Sequence, residues 1–172
     1  MKRILLLVVV LVFTLFGCKG KNEGNNASSP PDIPTAFSST VYIVHGEREY
    51  EALYTQQSLT QAVLEFTAPA TVKGMKIEVD GTECKLSLGS VSFTADFSSL
   101  PQSGVGKLIA DSVRGASDTS AAVTQKDSDG FVTTGIVSGV SFTLRRSALG
   151  LPTRLEVPQA ELEVEFRDCT LK

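Results

Sequence analysis

The 172-residue sequence contains no Trp, a single His and three Cys, and only 7% of its residues are aromatic. A hydrolase triad would therefore depend entirely on His45, and one His with the distant Cys84 and Cys169 does not supply a clustered zinc site. The formal net charge of −3 provides no basic excess for a nucleic acid or for a polybasic contact with anionic lipid. We therefore predict no enzyme activity, no metal or cofactor, and no nucleic-acid partner.

A long apolar run is present only at the start of the sequence. Residues 4–13 are all apolar and follow Lys2 and Arg3. Two cations followed by roughly ten apolar residues are typical of a secretory signal peptide. The run is shorter than the ~20 apolar residues that a transmembrane helix needs. The pattern therefore predicts export of the chain.

The end of this segment, Leu15-Phe16-Gly17-Cys18, resembles a bacterial lipobox. A small residue before the cysteine gives the signal peptidase access to the bond, and the thiol accepts a diacylglycerol as a thioether. We predict that residues 1–17 are a lipoprotein signal peptide and that Cys18 is lipidated. Two or three acyl chains would hold the protein stably on the extracytoplasmic face of the cell membrane. The alternative is an ordinary cleaved signal in which the cysteine is incidental.

After Cys18 the sequence changes composition twice. Residues 19–36 are rich in Gly, Asn, Ser and Pro, which predicts a flexible tether with a stiffer proline end. From Phe37 onward, apolar and polar residues alternate in short runs. The sequence thus predicts a lipidated cysteine and tether over 18–36 and a single β-rich domain over 37–172.

Alternation with a period of two predicts about ten antiparallel strands. The runs are 40–44, 50–54, 62–67, 76–79, 83–88, 91–95, 121–124, 131–137, 140–144, 153–157 and 160–166. Asp80-Gly81 is a strong hairpin cue. The stretch 127–130 (DSDG) is similar to the start of a calcium loop, but no bidentate Glu follows it, so a hairpin turn is favoured.

One helix is expected between the strands. Val105, Leu108, Ile109 and Val113 form a single apolar stripe of helical period, with a proposed N-cap at Ser103 and a stop at Gly115. The predicted fold is mainly β (α+β): a curved antiparallel sheet, or a half-open β-barrel, packed on this helix.

Several segments together resemble small Firmicute lipoproteins of the LolA, LolB and RseB-like lipoprotein-carrier superfamily. The segments are 69–81 (PATVKGMKIEVDG), 149–152 (LGLP) leading to 155–158 (LEVP), and 162–168 (LEVEFRD). Their order and spacing cover about residues 40–168. The resemblance implies a half-open barrel closed by helices over an apolar cavity that often receives acyl chains.

Two functional hypotheses follow. In the first, the anchored domain binds an acyl chain or another apolar ligand, with Phe131, Val140, Phe142, Leu144 and Leu108 lining the site. The simpler interpretation of the same residues is that they fill a closed core. In the second hypothesis, the domain has a packed interior and is a structural or sensory envelope domain that binds another protein.

Two further patterns concern cysteines and charges. Cys84 and Cys169 are compatible with one disulfide outside the cytoplasm, and two buried reduced thiols are the alternative. Three carboxylates of the last strand share one face, which favours a solvated outer surface over acid–base chemistry. The carboxylates are Glu161, Glu163 and Glu165. The arginines expected opposite them on neighbouring strands are Arg145, Arg146, Arg154 and Arg167.

Overall fold

The computed structural model describes residues 30–96 and 104–172, which form eleven strands and one α-helix. The strands are β1 (Phe37–His45), β2 (Arg48–Gln56), β3 (Gln61–Ala68), β4 (Lys76–Asp80), β5 (Glu83–Leu88), β6 (Val91–Asp96), β7 (Ala122–Asp127), β8 (Gly130–Val137), β9 (Val140–Ser147), β10 (Pro152–Val157) and β11 (Leu162–Leu171). The helix α1 is Val105–Ala116, and a short 3-10 turn spans Pro158–Ala160.

All eleven strands belong to one antiparallel sheet, in the order β6-β5-β4-β3-β2-β1-β11-β10-β9-β8-β7. The first and last strands pair at its centre, where Val41 lies opposite Phe166 and Ile43 opposite Val164. Because β6 and β7 are edges, the sheet is open and does not close into a barrel. The prediction of a mainly β fold with an antiparallel sheet packed on one helix is confirmed, with eleven strands instead of about ten.

Alternation along each strand divides the sheet into an inner and an outer face. In β9, Phe142, Leu144 and Arg146 are buried, whereas Ser141 and Arg145 are exposed. Equivalent positions of other strands join the buried set to form the main apolar core, and Val79, Cys84 and Ala110 form a second, smaller cluster. A cationic side chain at an inward position of β9 is the exception to this pattern.

Helix α1 follows edge strand β6 and precedes the opposite edge strand β7, so it crosses one face of the sheet. Its backbone lies close to both halves of the sheet. A Cβ on Gly106 would be 2.9 Å from Cδ1 of Ile77 in β4, and one on Gly115 would be 2.5 Å from Cγ1 of Val137 in β8. The two glycines therefore mark points at which the helix backbone approaches the sheet closely.

The observed ends of α1 differ from those expected. Gly104 is the N-cap, without a side-chain cap, whereas the proposed cap Ser103 lies outside the described residues. Gly115 lies within the last turn and does not stop the helix, and the C-cap is Ser117. Gly115 is accommodated because close packing on Val137 requires a residue without a side chain.

The turns and the outer face follow the expected charge pattern. Residues 127–130 form the β7–β8 hairpin turn, and the Asp127 carboxylate accepts a hydrogen bond from Arg145 at 2.8 Å. On the outer face, Arg154 contacts Glu163 at 2.8 Å and Arg167 contacts Glu165 at 2.6 Å. Because these pairs are exposed to solvent, they contribute little to stability. Glu161 departs from the prediction because it lies before β11 in a left-handed conformation, and Arg146 departs because it is buried.

Cys84 and Cys169 are both free, so the structure has the reduced alternative and not the disulfide. Cys84 is in β5 and Cys169 is in β11, and four strands lie between them in the sheet. Each strand adds about 4.8 Å of separation, whereas a disulfide requires Cα atoms within about 7 Å. Burial raises the pKa of both thiols, which favours the protonated form.

Residues 30–35, called the strap below, were assigned to the tether by composition but lie against the domain. Ile33 is only 4% exposed and belongs to the core. A Cβ on Gly150, in the β9–β10 turn, would be 2.4 Å from the carbonyl oxygen of Asp32, so the strap and this turn are in close contact. The buried Ile33 side chain and this close contact place the strap on the surface of the domain. Within the described residues, no helix has the length and hydropathy needed to cross a membrane.

Candidate functional site

The space between the sheet and α1 is filled by side chains. Leu108, Phe142 and Leu144 are buried in the core, and Val140 packs against it. Phe131 is also buried, with its ring under the guanidinium of Arg146, 5.9 Å from its centroid. Four of the five side chains proposed from the sequence to line a ligand cavity are therefore buried, and the fifth, Val140, is half-buried.

One apolar gap remains between α1 and strands β2, β3 and β4. It is lined by Tyr54, Leu64, Ile77, Gly106 and Ile109, among others, and its volume is about 10 Å³. A cavity of this size holds about one water molecule. The gap therefore cannot accommodate an acyl chain in this conformation.

A larger cleft, here called the strap cleft, lies where the strap crosses the sheet beside the end of α1. Its volume is about 320 Å³, at the lower end of the range for small-molecule sites. The walls come from the strap, the β2–β3 turn, the end of α1, β7 and β9. The lining residues are Pro30, Pro31, Asp32, Ile33, Thr35, Leu59, Ala116, Ser117, Thr119, Thr124 and Arg146.

Arg146 is the buried charged side chain of this cleft, with 5% exposure. Its Nη1 donates to the carbonyl oxygen of Pro31 at 2.8 Å, and its Nη2 donates to Thr124 Oγ1 at 3.4 Å. Thr124 Oγ1 also lies 2.9 Å from Thr133 Oγ1. Arg146 Nε is buried and has no hydrogen-bond partner among the described residues. The hydrogen bond from Arg146 to the neutral Pro31 carbonyl therefore helps to hold the strap on the sheet.

The electrostatic state of Arg146 is unusual for an arginine. Burial lowers the pKa of its guanidinium, and the Asp32 carboxylate opposes this effect. The group stays protonated, because a guanidinium keeps its proton in proteins even when it is buried. Within the described residues, no carboxylate lies within 4 Å of it. A buried charge that lacks an ion-pair partner is costly, and such a feature indicates a site where an opposite charge is received.

Three other surface clefts have similar volumes but different chemistry. One is lined by carboxylates and a lysine of β4 and β5, and the other two lie around the β1–β2 turn, one beside His45 and Glu161 and the other beside Pro69. Every charged side chain in these three clefts is exposed or half-buried. The strap cleft is distinguished from them by its buried guanidinium.

A separate apolar surface lies on the β5–β6 hairpin. Leu88 pairs with Val91 and Leu86 pairs with Phe93, so the four side chains share one face of the hairpin. Leu88, Val91 and Phe93 are exposed. We call the four apolar side chains the hairpin patch, and such patches are typical of interaction surfaces.

Sequence reasoning assigned Arg146 only to a set of arginines expected on the outer face, and it did not identify the strap. A signal for Arg146 is present in the β9 run Val140–Ser147, where position 146 has the same parity as the apolar 142 and 144. No comparable signal marks the strap, because its contact depends on which loop lies beside it in three dimensions.

The fold is similar to that of an uncharacterized conserved protein from Thermus thermophilus, with a TM-score of 0.52 and 13% identity over 80% of this chain and 79% of that protein. It is also similar to a LolA superfamily protein from Nitrosomonas europaea, with a TM-score of 0.45 and 14% identity over 82% and 88% of the two chains. A domain assigned to outer membrane lipoprotein sorting in Vibrio parahaemolyticus gives a TM-score of 0.42 and 12% identity over 80% and 85%. No protein-family model and no curated protein matches the sequence.

Proposed function

We propose that this protein is an extracytoplasmic lipoprotein, anchored through Cys18, that binds a small apolar ligand in the strap cleft without chemically altering it. The anchor rests on the signal segment and lipobox at residues 1–18. The ligand site differs from the interior cavity expected from the sequence, because that interior is filled. The single observation that carries the binding role is a cleft of about 320 Å³ with both apolar walls and a buried cation.

The chemistry of the cleft suits an apolar ligand that carries a polar end. Leu59 is exposed at the β2–β3 turn and forms part of the wall together with Ile33 and Ala116. Small-molecule sites combine such apolar surfaces with a few polar groups that fix orientation. A ligand of this type would also be compatible with a protein held close to lipid.

The anchor is tested by metabolic labelling. Cells given labelled palmitate should label the wild-type protein, and the Cys18→Ala variant should lose the label and leave the membrane fraction, because no other group is proposed to take the lipid. Cys169→Ala serves as the matched control and should keep the label. A wild-type protein that stays unlabelled and soluble would refute the anchor.

The ligand site is tested in the full chain carrying Cys18→Ser, which cannot be lipidated. Leu59→Glu places a charge in the apolar wall and should weaken binding of octanol by about tenfold or more, since burying a carboxylate beside an apolar tail is unfavourable. Leu53→Glu is the control, because Leu53 is also an exposed leucine but does not line the cleft. Equal binding by both variants, measured by calorimetry, would contradict the site.

A protein-binding envelope domain is the second candidate, and the hairpin patch favours it. Its interior would be packed, as observed, and the partner would cover Leu88, Val91 and Phe93. This role does not use the strap cleft. Octanol binding that depends on Leu59 therefore separates the first candidate from the second.

A further inference from the structure

Three observations on the strap cleft point beyond a generic apolar site. Arg146 is buried and charged, and no described carboxylate lies within ion-pair distance. Its Nε–H is buried without an acceptor among the described residues. Its shortest hydrogen bond is to a neutral carbonyl, that of Pro31. A hydrogen bond from a protonated guanidinium to an oxyanion joins two opposite charges, and an arginine can form two such bonds to one carboxylate or phosphate.

We propose that the strap cleft binds the oxyanion head group of a short-chain amphiphile, with Arg146 as the residue that binds the head group. The inference rests on the proposed function and specifies its ligand class. The shared chemistry is a carboxylate or phosphate on an apolar tail. The carboxylate would come from a free fatty acid and the phosphate from a lipid head group.

The geometry of the guanidinium supports this class of ligand. Nε–H and the neighbouring Nη2–H point in parallel directions and can donate to the two oxygens of one carboxylate or phosphate. Nε has no described partner, and the bond from Nη2 to Thr124 is long, at 3.4 Å. An oxyanion that bonds this edge therefore displaces only one weak hydrogen bond. The exchange breaks and forms hydrogen bonds only, and no proton or electron is transferred.

The strap lies against the guanidinium, and the edge formed by Nε and Nη2 is not open to solvent at Nε. Nε is covered in this conformation, so an oxyanion reaches it only after a local movement. The strap contacts Nη1 of the same guanidinium through the Pro31 carbonyl, and in this proposal it is the segment that moves. Asp32, the next residue of the strap, is exposed and acts electrostatically on Arg146. The Asp32 carboxylate repels an incoming oxyanion while the strap is in this position. The strap therefore competes with the anionic head group for the guanidinium of Arg146.

The remaining walls of the strap cleft limit the length of the ligand's apolar tail. The apolar lining comes mainly from Ile33, Leu59 and Ala116, and the volume is near the lower limit for small-molecule sites. The adjoining core is packed with side chains, and the gap beside α1 has a volume of about 10 Å³. A tail of about eight carbons is therefore a suitable probe at this small volume, and a long acyl chain would need the core to open.

The experiment compares octanoate, octyl phosphate and octanol by calorimetry on the full chain carrying Cys18→Ser. Octanoate or octyl phosphate should bind at least about tenfold more tightly than octanol, because charge-assisted hydrogen bonds add to the apolar contact. Arg146→Met should remove this preference, since the substitution removes the charged hydrogen-bond donors and keeps an unbranched apolar stem. Arg145→Met is the matched control, since Arg145 is the neighbouring arginine, is exposed and contacts Asp127 outside the cleft.

The outcomes separate this inference from the proposed function. Octanol binding with no preference for either anion, unchanged in Arg146→Met, overturns the oxyanion site and leaves the apolar site standing. If none of the three probes binds, both the oxyanion site and the proposed apolar site are overturned. A preference for octanoate identifies the fatty-acid source, a preference for octyl phosphate identifies the lipid head group, and either supports the site.

A second measurement covers the case in which Arg146→Met does not fold. The NMR chemical shift of the Arg146 Nε–H in the parent chain then tests the oxyanion site. A shift on adding octanoate or octyl phosphate but not octanol supports the proposal, and no shift with any anion refutes it.

Discussion

Phe142→Ala should lower the free energy of unfolding by about 3–5 kcal/mol, the usual cost of removing a buried aromatic ring. Phe142 is 2% exposed and lies opposite Gly135 in the β8–β9 pairing. Cβ atoms added at Gly135 and Gly115 would be 2.7 Å and 3.5 Å from its Cε1 atom. The ring thus fills a space between strand β8 and helix α1 that neither glycine can refill. Denaturant unfolding followed by circular dichroism measures the change.

Phe93→Ala is the matched control, because it removes the same ring from a position that is 64% exposed on edge strand β6. Its effect should be within about 0.5 kcal/mol, as for surface substitutions in general. Equal losses for the two variants would show that Phe142 is not part of the packed interior. In that case the region would be open, and the ligand residues expected from the sequence would regain support.

Gly130→Ala should lower the free energy of unfolding by about 3 kcal/mol or more, at the upper end of the range for overpacking. A Cβ at this position would be only 2.0 Å from the backbone carbonyl oxygen of Arg146 and 2.9 Å from the carbonyl carbon of Ser147. Because the clash is with backbone atoms, a rotamer change cannot relieve it. The first residues of the β8–β9 pairing would have to separate, which would also move Arg146.

Gly139→Ala provides the comparison for this substitution. Gly139 also has a positive φ, of 79°, but a Cβ there would have no neighbour within 4 Å. Only the left-handed backbone is unfavourable, at about 1–2 kcal/mol. Denaturant unfolding should therefore rank Gly130→Ala as the more damaging change. The reverse order would show that the β8–β9 hairpin is looser than the structure indicates.

The strands were predictable because their signal is local. Alternation in 140–147 and in 162–166 sets which side chains face inward without reference to any other part of the chain. The hairpin turn at 80–81 was equally local, since turn residues have their own backbone preferences. Each of these features lies within a few residues of its cause, and each is present in the structure.

The role of the helix glycines was not local. Glycine is a residue type that often ends a helix, but Gly115 lies inside α1. Val137 of strand β8 occupies the space that a side chain at position 115 would need. Gly106 has the same role against Ile77 at the other end of the helix. Sequence spacing identifies an apolar stripe on one helix, whereas the surface that meets it is assembled from strands distant in the chain.

The sequence by itself determined the run of alternating strands and the amphipathic helix, because these depend on neighbouring residues. The export and lipidation signal at residues 1–18 stays a prediction. Only the tertiary structure decided that the sheet stays open, that its interior is filled, and that Arg146 and the strap meet in one cleft. These features depend on contacts between residues far apart in the chain, such as Arg146 and Pro31, which are separated by 115 positions. Local patterns do not encode such distances, because the order of the strands and the path of the connecting segments fix them.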